Sequence, residues 1–189
     1  MIRWEAVGCH DPPYSEQEEL AIMEAKKKDP PAADEVFPNL YLGNKGAAES
    51  VEYLVSRGIT HVLNLAANTA GVTKVVRYSV DPDKETLQGL GIELKELQLR
   101  DKLDEDITKV FKESGRFIRR SLAAGGKVMV NCWQGASRSA TVVLAFLLQH
   151  YDMDLETALK MIKSKRDIRP NNGFLRQLAE LEYILNHGR

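Results

Sequence analysis

Three residues are spaced to suit phosphate chemistry: Cys132, then five positions, then Arg138 and Ser139. A thiolate is a strong nucleophile, and it is populated near neutral pH only where positive potential holds it. Arginine grips two phosphate oxygens at once with its planar fork, a geometry that lysine does not offer. Between them run Trp133, Gln134, Gly135, Ala136 and Ser137, a loop short enough for its backbone N–H groups to converge on one anion. Gly135 lets such a loop turn tightly without a Cβ clash. A lone cysteine after an apolar run is more often a small core residue than a nucleophile. Arginine and serine at fixed spacing change that reading to a thiol held beneath a dianionic phosphate.

The flanking sequence supplies what must position these groups. Val128-Met129-Val130 reads as a short buried strand, and Thr141 to Leu148 is an apolar helical run. The order is therefore strand, tight loop, helix N-terminus, where free N–H groups and the helix dipole favour an anion. Upstream, Val36-Phe37 and Leu40–Gly43 read as two strands joined by a turn at Pro38-Asn39. Asn44 to Arg57 reads as one helix ended by Gly58, and Ile59 to Leu65 as a central strand. His61 lies inside that strand and is expected to be structural. Residues 66–91 are the least regular stretch, with turn chemistry from Tyr78 to Asp83. Its basic Lys74 and Arg77 read as a solvated loop, with a border of the cleft as the alternative. Ile92 to Leu99 alternates as a strand, Arg100 to Asp106 is a charged loop, and Ile107 to Leu122 is helical. A helix from about Met153 to Lys165 and a last one to about Asn186 follow. Strands alternating with helices, then helices alone, imply an α/β fold with a central, mostly parallel sheet flanked by helices.

Composition bounds the rest. The chain has 189 residues, 43% of them hydrophobic, which suits one core. Its 26 Lys+Arg nearly balance 27 Asp+Glu, for a net charge of −1, so no global basic bias toward nucleic acid or membrane exists and phosphate attraction must be local. Cys9 and Cys132 form no disulfide framework and no zinc spacing, so neither metal nor other cofactor is expected. A thiolate nucleophile suits a reducing compartment: the cytoplasm is expected, and the nucleus is compatible. No secretory h-region and no apolar run of about 20 residues is visible. The expected state is a monomer or a weak dimer. Residues 1–34 read as an N-terminal extension, with a short amphipathic helix between Pro12-Pro13 and Pro30-Pro31 opened by Ser15 and Glu18. Residues 35–189 form the domain.

The loop Cys132–Ser139 resembles the signature loop of the cysteine-dependent protein phosphatases. Pro38–Asn44 (P-x-L-Y-L-G-N), Gly58–Asn64 (G-I-T-H-V-L-N) and Ser164–Phe174 (S-K-R-x-I-x-P-N-x-G-F) narrow the resemblance to the atypical dual-specificity phosphatases, over roughly residues 35 to 186. The resemblance implies a protein-tyrosine-phosphatase-like fold and hydrolysis of phosphate monoesters on protein tyrosine, serine or threonine through a phosphocysteine intermediate. Cys132 would be the nucleophile, with Arg138 and the loop N–H groups stabilising the equatorial oxygens. The family carries its general acid in the loop before the next helix, and the D-x-x-x-x-x-I/L pattern matches at Asp101, with Asp104 and Asp106 as rivals. Ser139 would hydrogen-bond the Cys132 sulfur and assist its departure, or cap the helix. Asn171 resembles the family asparagine that braces the signature loop, or caps the last helix. Trp133 would wall the cleft or pack beneath the loop.

One position departs from the family: Asn131 stands where a histidine commonly precedes the cysteine. Asparagine hydrogen-bonds but carries no charge. A less depressed thiol pKa follows, and with it a second function class, a phosphate-binding pseudophosphatase acting as an adaptor. Retention of Cys132, Arg138, Ser139 and Asp101 together argues for the enzyme. A rhodanese-like sulfur transferase also uses a cysteine loop, but the arginine-serine ending and Pro170-Asn171 argue against it. The loop interior has no lysine or extra arginine, which favours a phosphoprotein over a phosphoinositide.

Overall fold

The computed structural model describes residues 31–67 and 80–188. The helix expected between Ser15 and Lys28, and the basic residues Lys74 and Arg77, lie outside them.

Five strands form one sheet in the order β1-β2-β5-β3-β4. They are β1 (Ala33–Phe37), β2 (Leu40–Gly43), β3 (His61–Asn64), β4 (Glu93–Glu96) and β5 (Val128–Asn131). The β1-β2 hairpin is antiparallel and turns at Asn39 with φ 59°. All other pairings are parallel, as the alternation of strands and helices implied. Strand β5 lies between β2 and β3, and every residue of it is buried. A parallel strand covered by helices on both faces has no need of polar alternation, which explains the unbroken apolar run at Val128–Val130.

Side chains alternate across the sheet. Val128 and Val130 join the larger core cluster with Leu40, Leu42 and Leu63, whereas Met129 faces the smaller one with Tyr41 and Val62. The larger cluster packs against α4 (Thr108–Ala123), α5 (Arg138–Tyr151), α6 (Leu155–Lys163) and α7 (Asn172–His187). Helix α5 is buried from Arg138 through Leu148, and this all-round burial is why its sequence is apolar on every side. The smaller cluster packs against α1 (Lys45–Glu49), α2 (Val51–Arg57) and α3 (Lys84–Gly89), and it includes Cys132 and Trp133.

Local expectations needed four corrections. The helix expected over Asn44 to Arg57 is two helices. Ser50 adopts extended backbone and its hydroxyl accepts the Tyr53 N–H, so a mid-helix serine serves as a cap. Asn44 caps α1 by accepting from Ala47 N–H, and α2 ends at Gly58 as expected. Helix α3 lies within the stretch taken as irregular, started by Asp83, whose carboxylate accepts from Thr86 N–H. Strand β4 is shorter than the Ile92–Leu99 alternation: its parallel ladder with β3 ends at Glu96, and beyond it an isolated antiparallel bridge joins Gln98 to Ala66. Strand β1 is longer than the expected Val36-Phe37 run: it opens at Ala33, and Asp34 Oδ2 within it pairs with Arg166 Nη1 at 2.6 Å. Among the described residues no helix is long and apolar enough to cross a membrane.

Candidate active site

The Cys132–Ser137 loop joins the C-terminal end of β5 to the N-terminus of α5. Its backbone is pinned from three sides. Trp133 O accepts from Lys45 N–H at 2.9 Å, at the start of α1. Arg166 donates from Nη2 to Gln134 O and from Nε to Gly135 O, each at 2.9 Å. Arg169 N–H donates to Ala136 O at 2.7 Å. With four carbonyls drawn outward, the loop is free to present N–H groups inward. Gly135 has φ 70°, and a Cβ there would press on the Gly43 carbonyl and approach Arg166 Nη2 to 2.8 Å, so only glycine fits.

Cys132 is 1% exposed, and its Sγ lies 3.3 Å from Ser139 Oγ. Burial pushes the thiol pKa up, but the Arg138 guanidinium and the Ser139 hydroxyl and N–H outweigh it, and the thiol lies below its ordinary value despite the opposing charge of Asp101. Arg138 is 4% exposed; its Nη1 donates to Leu99 O at 3.0 Å. Its Nε has no hydrogen-bond partner among the described residues, and the nearest carboxylate, Asp101 Oδ2, is 3.7 Å away. A buried, unsatisfied guanidinium N–H is costly unless an anion arrives to take it.

Asp101 stands beside the end of the loop at Ser137 and Arg138, near enough for its charge to act on the Cys132 thiol. Its Oδ1 accepts from Ser137 Oγ at 2.7 Å and from Asn171 Nδ2 at 3.0 Å, which fixes the carboxylate beside Arg138. The two rivals are placed differently. No hydrogen bond or ion pair links Asp104 to the loop, and Asp106 accepts from Thr108 N–H and Oγ1 at the start of α4. Asn171 does cap α7, accepting from Phe174 N–H. Its amide, however, holds the Asp101 loop, through Asp101 Oδ1 and Lys102 O, and not the Cys132 loop. Ser139 is not the cap of α5; that position is Ser137, whose hydroxyl is turned to Asp101, so Ser139 is free to face the sulfur. Trp133, 8% exposed, packs in the smaller core cluster beneath the loop.

Asn131 is fully buried and register-paired with Asn64 on β3. Asn64 Nδ2 donates to Val80 O and its Oδ1 accepts from Ala66 N–H, which fixes its orientation. Asn131 Nδ2 therefore donates to Asn64 Oδ1 at 3.1 Å, leaving Asn131 Oδ1 without a partner among the described residues. The partner of Asn131 is thus Asn64. Sequence reasoning missed Asn64 and the bracing role of Arg166 and Arg169. Arg166 stood in the S-K-R-x-I-x-P-N motif, but only the fold reveals which carbonyls it reaches.

A sheet with a cysteine loop between its central strand and a buried helix, faced by arginine and aspartate, is the architecture of the cysteine-dependent phosphatases. A family model described as the dual specificity phosphatase catalytic domain matches residues 40–184, and the chain belongs to that family. It is 41% identical to human dual specificity protein phosphatase 26 over 157 residues, covering 82% of this chain and 70% of that protein. Human dual specificity protein phosphatase 13B is 39% identical over 150 residues, covering 79% and 72%. Among solved structures, human DUSP28 superposes with a TM-score of 0.69 at 28% identity, over 84% of this chain and 97% of that one. A human tyrosine phosphatase-like serine/threonine/tyrosine-interacting protein superposes with a TM-score of 0.68 at 31% identity, over 80% and 96%. The protein is a protein phosphatase of the atypical dual-specificity type.

Proposed function

We propose that the chain hydrolyses phosphate monoesters on protein tyrosine, serine or threonine in two steps through Cys132. The Cys132 thiolate attacks phosphorus, forming the S–P bond as the ester P–O bond breaks, and protonated Asp101 gives its proton to the leaving oxygen. Asp101 then takes a proton from water as the water oxygen attacks phosphorus, and the S–P bond breaks to return the thiolate. Arg138 and the loop N–H groups take up the charge on the equatorial oxygens, and Ser139 donates to the departing sulfur. The observation that carries this reading is the depressed Cys132 thiol beside Ser139, on the loop that also holds the unpartnered Arg138 Nε facing Asp101. The absence of lysine or further arginine within the loop supports a phosphoprotein substrate. A reducing compartment, cytoplasm or nucleus, keeps such a thiolate nucleophile reduced.

The test is turnover of an aryl phosphate and of a phosphoserine peptide, in chelator. Wild type is expected to hydrolyse both; Cys132→Ser to bind tungstate but turn over neither; Asp101→Asn to lose far more on the peptide than on the activated ester. The uncharged Asn131 keeps one other reading in view, a phosphate-binding adaptor. Tungstate binding by wild type with no turnover of either ester would establish it and overturn the enzyme mechanism.

A further inference from the structure

Glu105 is the only acidic side chain buried among the described residues, at 4% exposure. It sits at the far end of the loop that carries Asp101. Its Oε2 accepts from Arg100 Nε at 2.6 Å, and its Oε1 accepts from Lys109 Nζ at 2.6 Å. Arg100 immediately precedes Asp101, and Lys109 belongs to the first turn of α4. One carboxylate thus ties the start of the loop to the helix that follows it, with residues 101–104 spanned between. Its backbone adds to the closure: Glu105 N–H donates to Lys102 O, and Glu105 O accepts from Gln177 Nε2 at 2.9 Å. Gln177 Oε1 in turn accepts from Ile107 N–H, which fastens the loop exit to α7. On the other flank Gly173 lies under the loop, where a Cβ would press on the Leu103 carbonyl.

Burial pushes the Glu105 carboxyl up, yet hydrogen bonds from Lys109 and Arg100 bring it below its ordinary value, so the group is ionised at neutral pH. A buried carboxylate is seldom favoured for stability alone, since an apolar side chain of similar volume does as well or better. An apolar side chain, however, does not fix the start of a loop to its end at two defined points. Asp101 must present its proton within hydrogen-bond reach of the leaving oxygen, and misplacement by about 1 Å costs up to 100-fold in rate.

We propose that Glu105 is a positioning residue: clamped between Arg100 and Lys109, it holds the Asp101 loop in place over Cys132 before substrate arrives. The role rests on the reading of Asp101 as general acid. Glu105→Gln keeps the shape of the side chain and removes the charge that both cations grip. The expected result on the full chain is a loss of about tenfold in kcat on a phosphoserine peptide, with KM within twofold and p-nitrophenyl phosphate turnover nearly unchanged. In the Asp101→Asn background the same substitution should add nothing. Equal losses on both esters, or a loss that multiplies with that of Asp101→Asn, would overturn the clamp. Should Glu105→Gln not fold, Arg100→Gln cuts the same tie at a side chain that is 58% exposed. Alkylation of Cys132 by iodoacetamide reads the clamp without turnover. Loosening Asp101 removes a charge that opposes the thiolate, so the pH profile should move to lower pH in Glu105→Gln and stay put when Asp101 is Asn. An unmoved profile in Glu105→Gln alone counts against the clamp. Wild-type turnover that vanishes in Cys132→Ser secures the reading of the site first, so failure of the clamp is distinguishable from failure of that reading.

Discussion

Gly135→Ala isolates the close approach that shapes the Cys132–Ser137 loop. The residue has φ 70°, a conformation that costs an L-residue about 1–2 kcal/mol. The added Cβ would also lie 2.7 Å from the Gly43 carbonyl carbon and 2.8 Å from Arg166 Nη2. The carbonyl has little room to recede, because Gly43 ends β2 and is in register with Asn131 of β5. Arg166 is held by Gln134 O, Gly135 O and Asp34. Crowding of this kind costs about 1–3 kcal/mol. The sum is about 3 kcal/mol, or ~6–12 °C in Tm for a domain of this size. Relief comes by displacing the loop, which should lower kcat/KM about 100-fold. Gly91 and Gly125 provide the controls: their φ values are 70° and 78°, and a Cβ at either meets nothing within 4 Å. Gly91→Ala and Gly125→Ala should lose only about 1–2 kcal/mol and keep full activity. Thermal melts and turnover of an aryl phosphate measure all three. A Gly135→Ala protein that melts with the controls and keeps kcat/KM within threefold would refute the argument that contact with Gly43 sets the loop.

Arg138→Lys should lower kcat/KM at least about 100-fold, since lysine replaces a planar fork with a point charge and gives up the tie to Leu99 O; near wild-type kinetics would make the arginine structural. Asn131→His should place an imidazole N–H against Asn64 Oδ1 and, when protonated, a positive charge beside Cys132. Iodoacetate alkylation at mildly acidic pH should then quicken, and an unchanged profile would mean that Arg138 and Ser139 already set the thiol. Glu105 also links stability to pH. Its folded pKa lies below the unfolded value of about 4.3, so its contribution is complete above that pH and is lost as pH falls through the lower folded value. Urea midpoints should therefore fall less steeply with acid in Glu105→Gln than in wild type, and parallel profiles would contradict the assignment.

Much of this protein is written locally. Residues Val128 to Leu148 announce strand, tight loop and helix because each depends on near neighbours: an apolar run, a glycine at positive φ, and a second apolar run at helical spacing. The Pro38-Asn39 turn, the end of α2 at Gly58 and the cap at Asn171 are local for the same reason. Local signals failed where two short-range options competed. Ser50 could continue a helix or cap a new one, and Asp83 could end a turn or begin α3. What no window of sequence discloses are the partners that folding brings from afar. Asn131 meets Asn64 across 67 positions, and Arg166 reaches Gly135 across 31. Asp101 receives Asn171 across 70 positions, and Glu105 is sealed by Gln177 across 72. Residue type and spacing determined what chemistry the loop could do. Strand order and helix packing decided which side chains hold Cys132 and Asp101 in place, because hydrogen bonds are made by proximity in space and the sequence records proximity only along the chain.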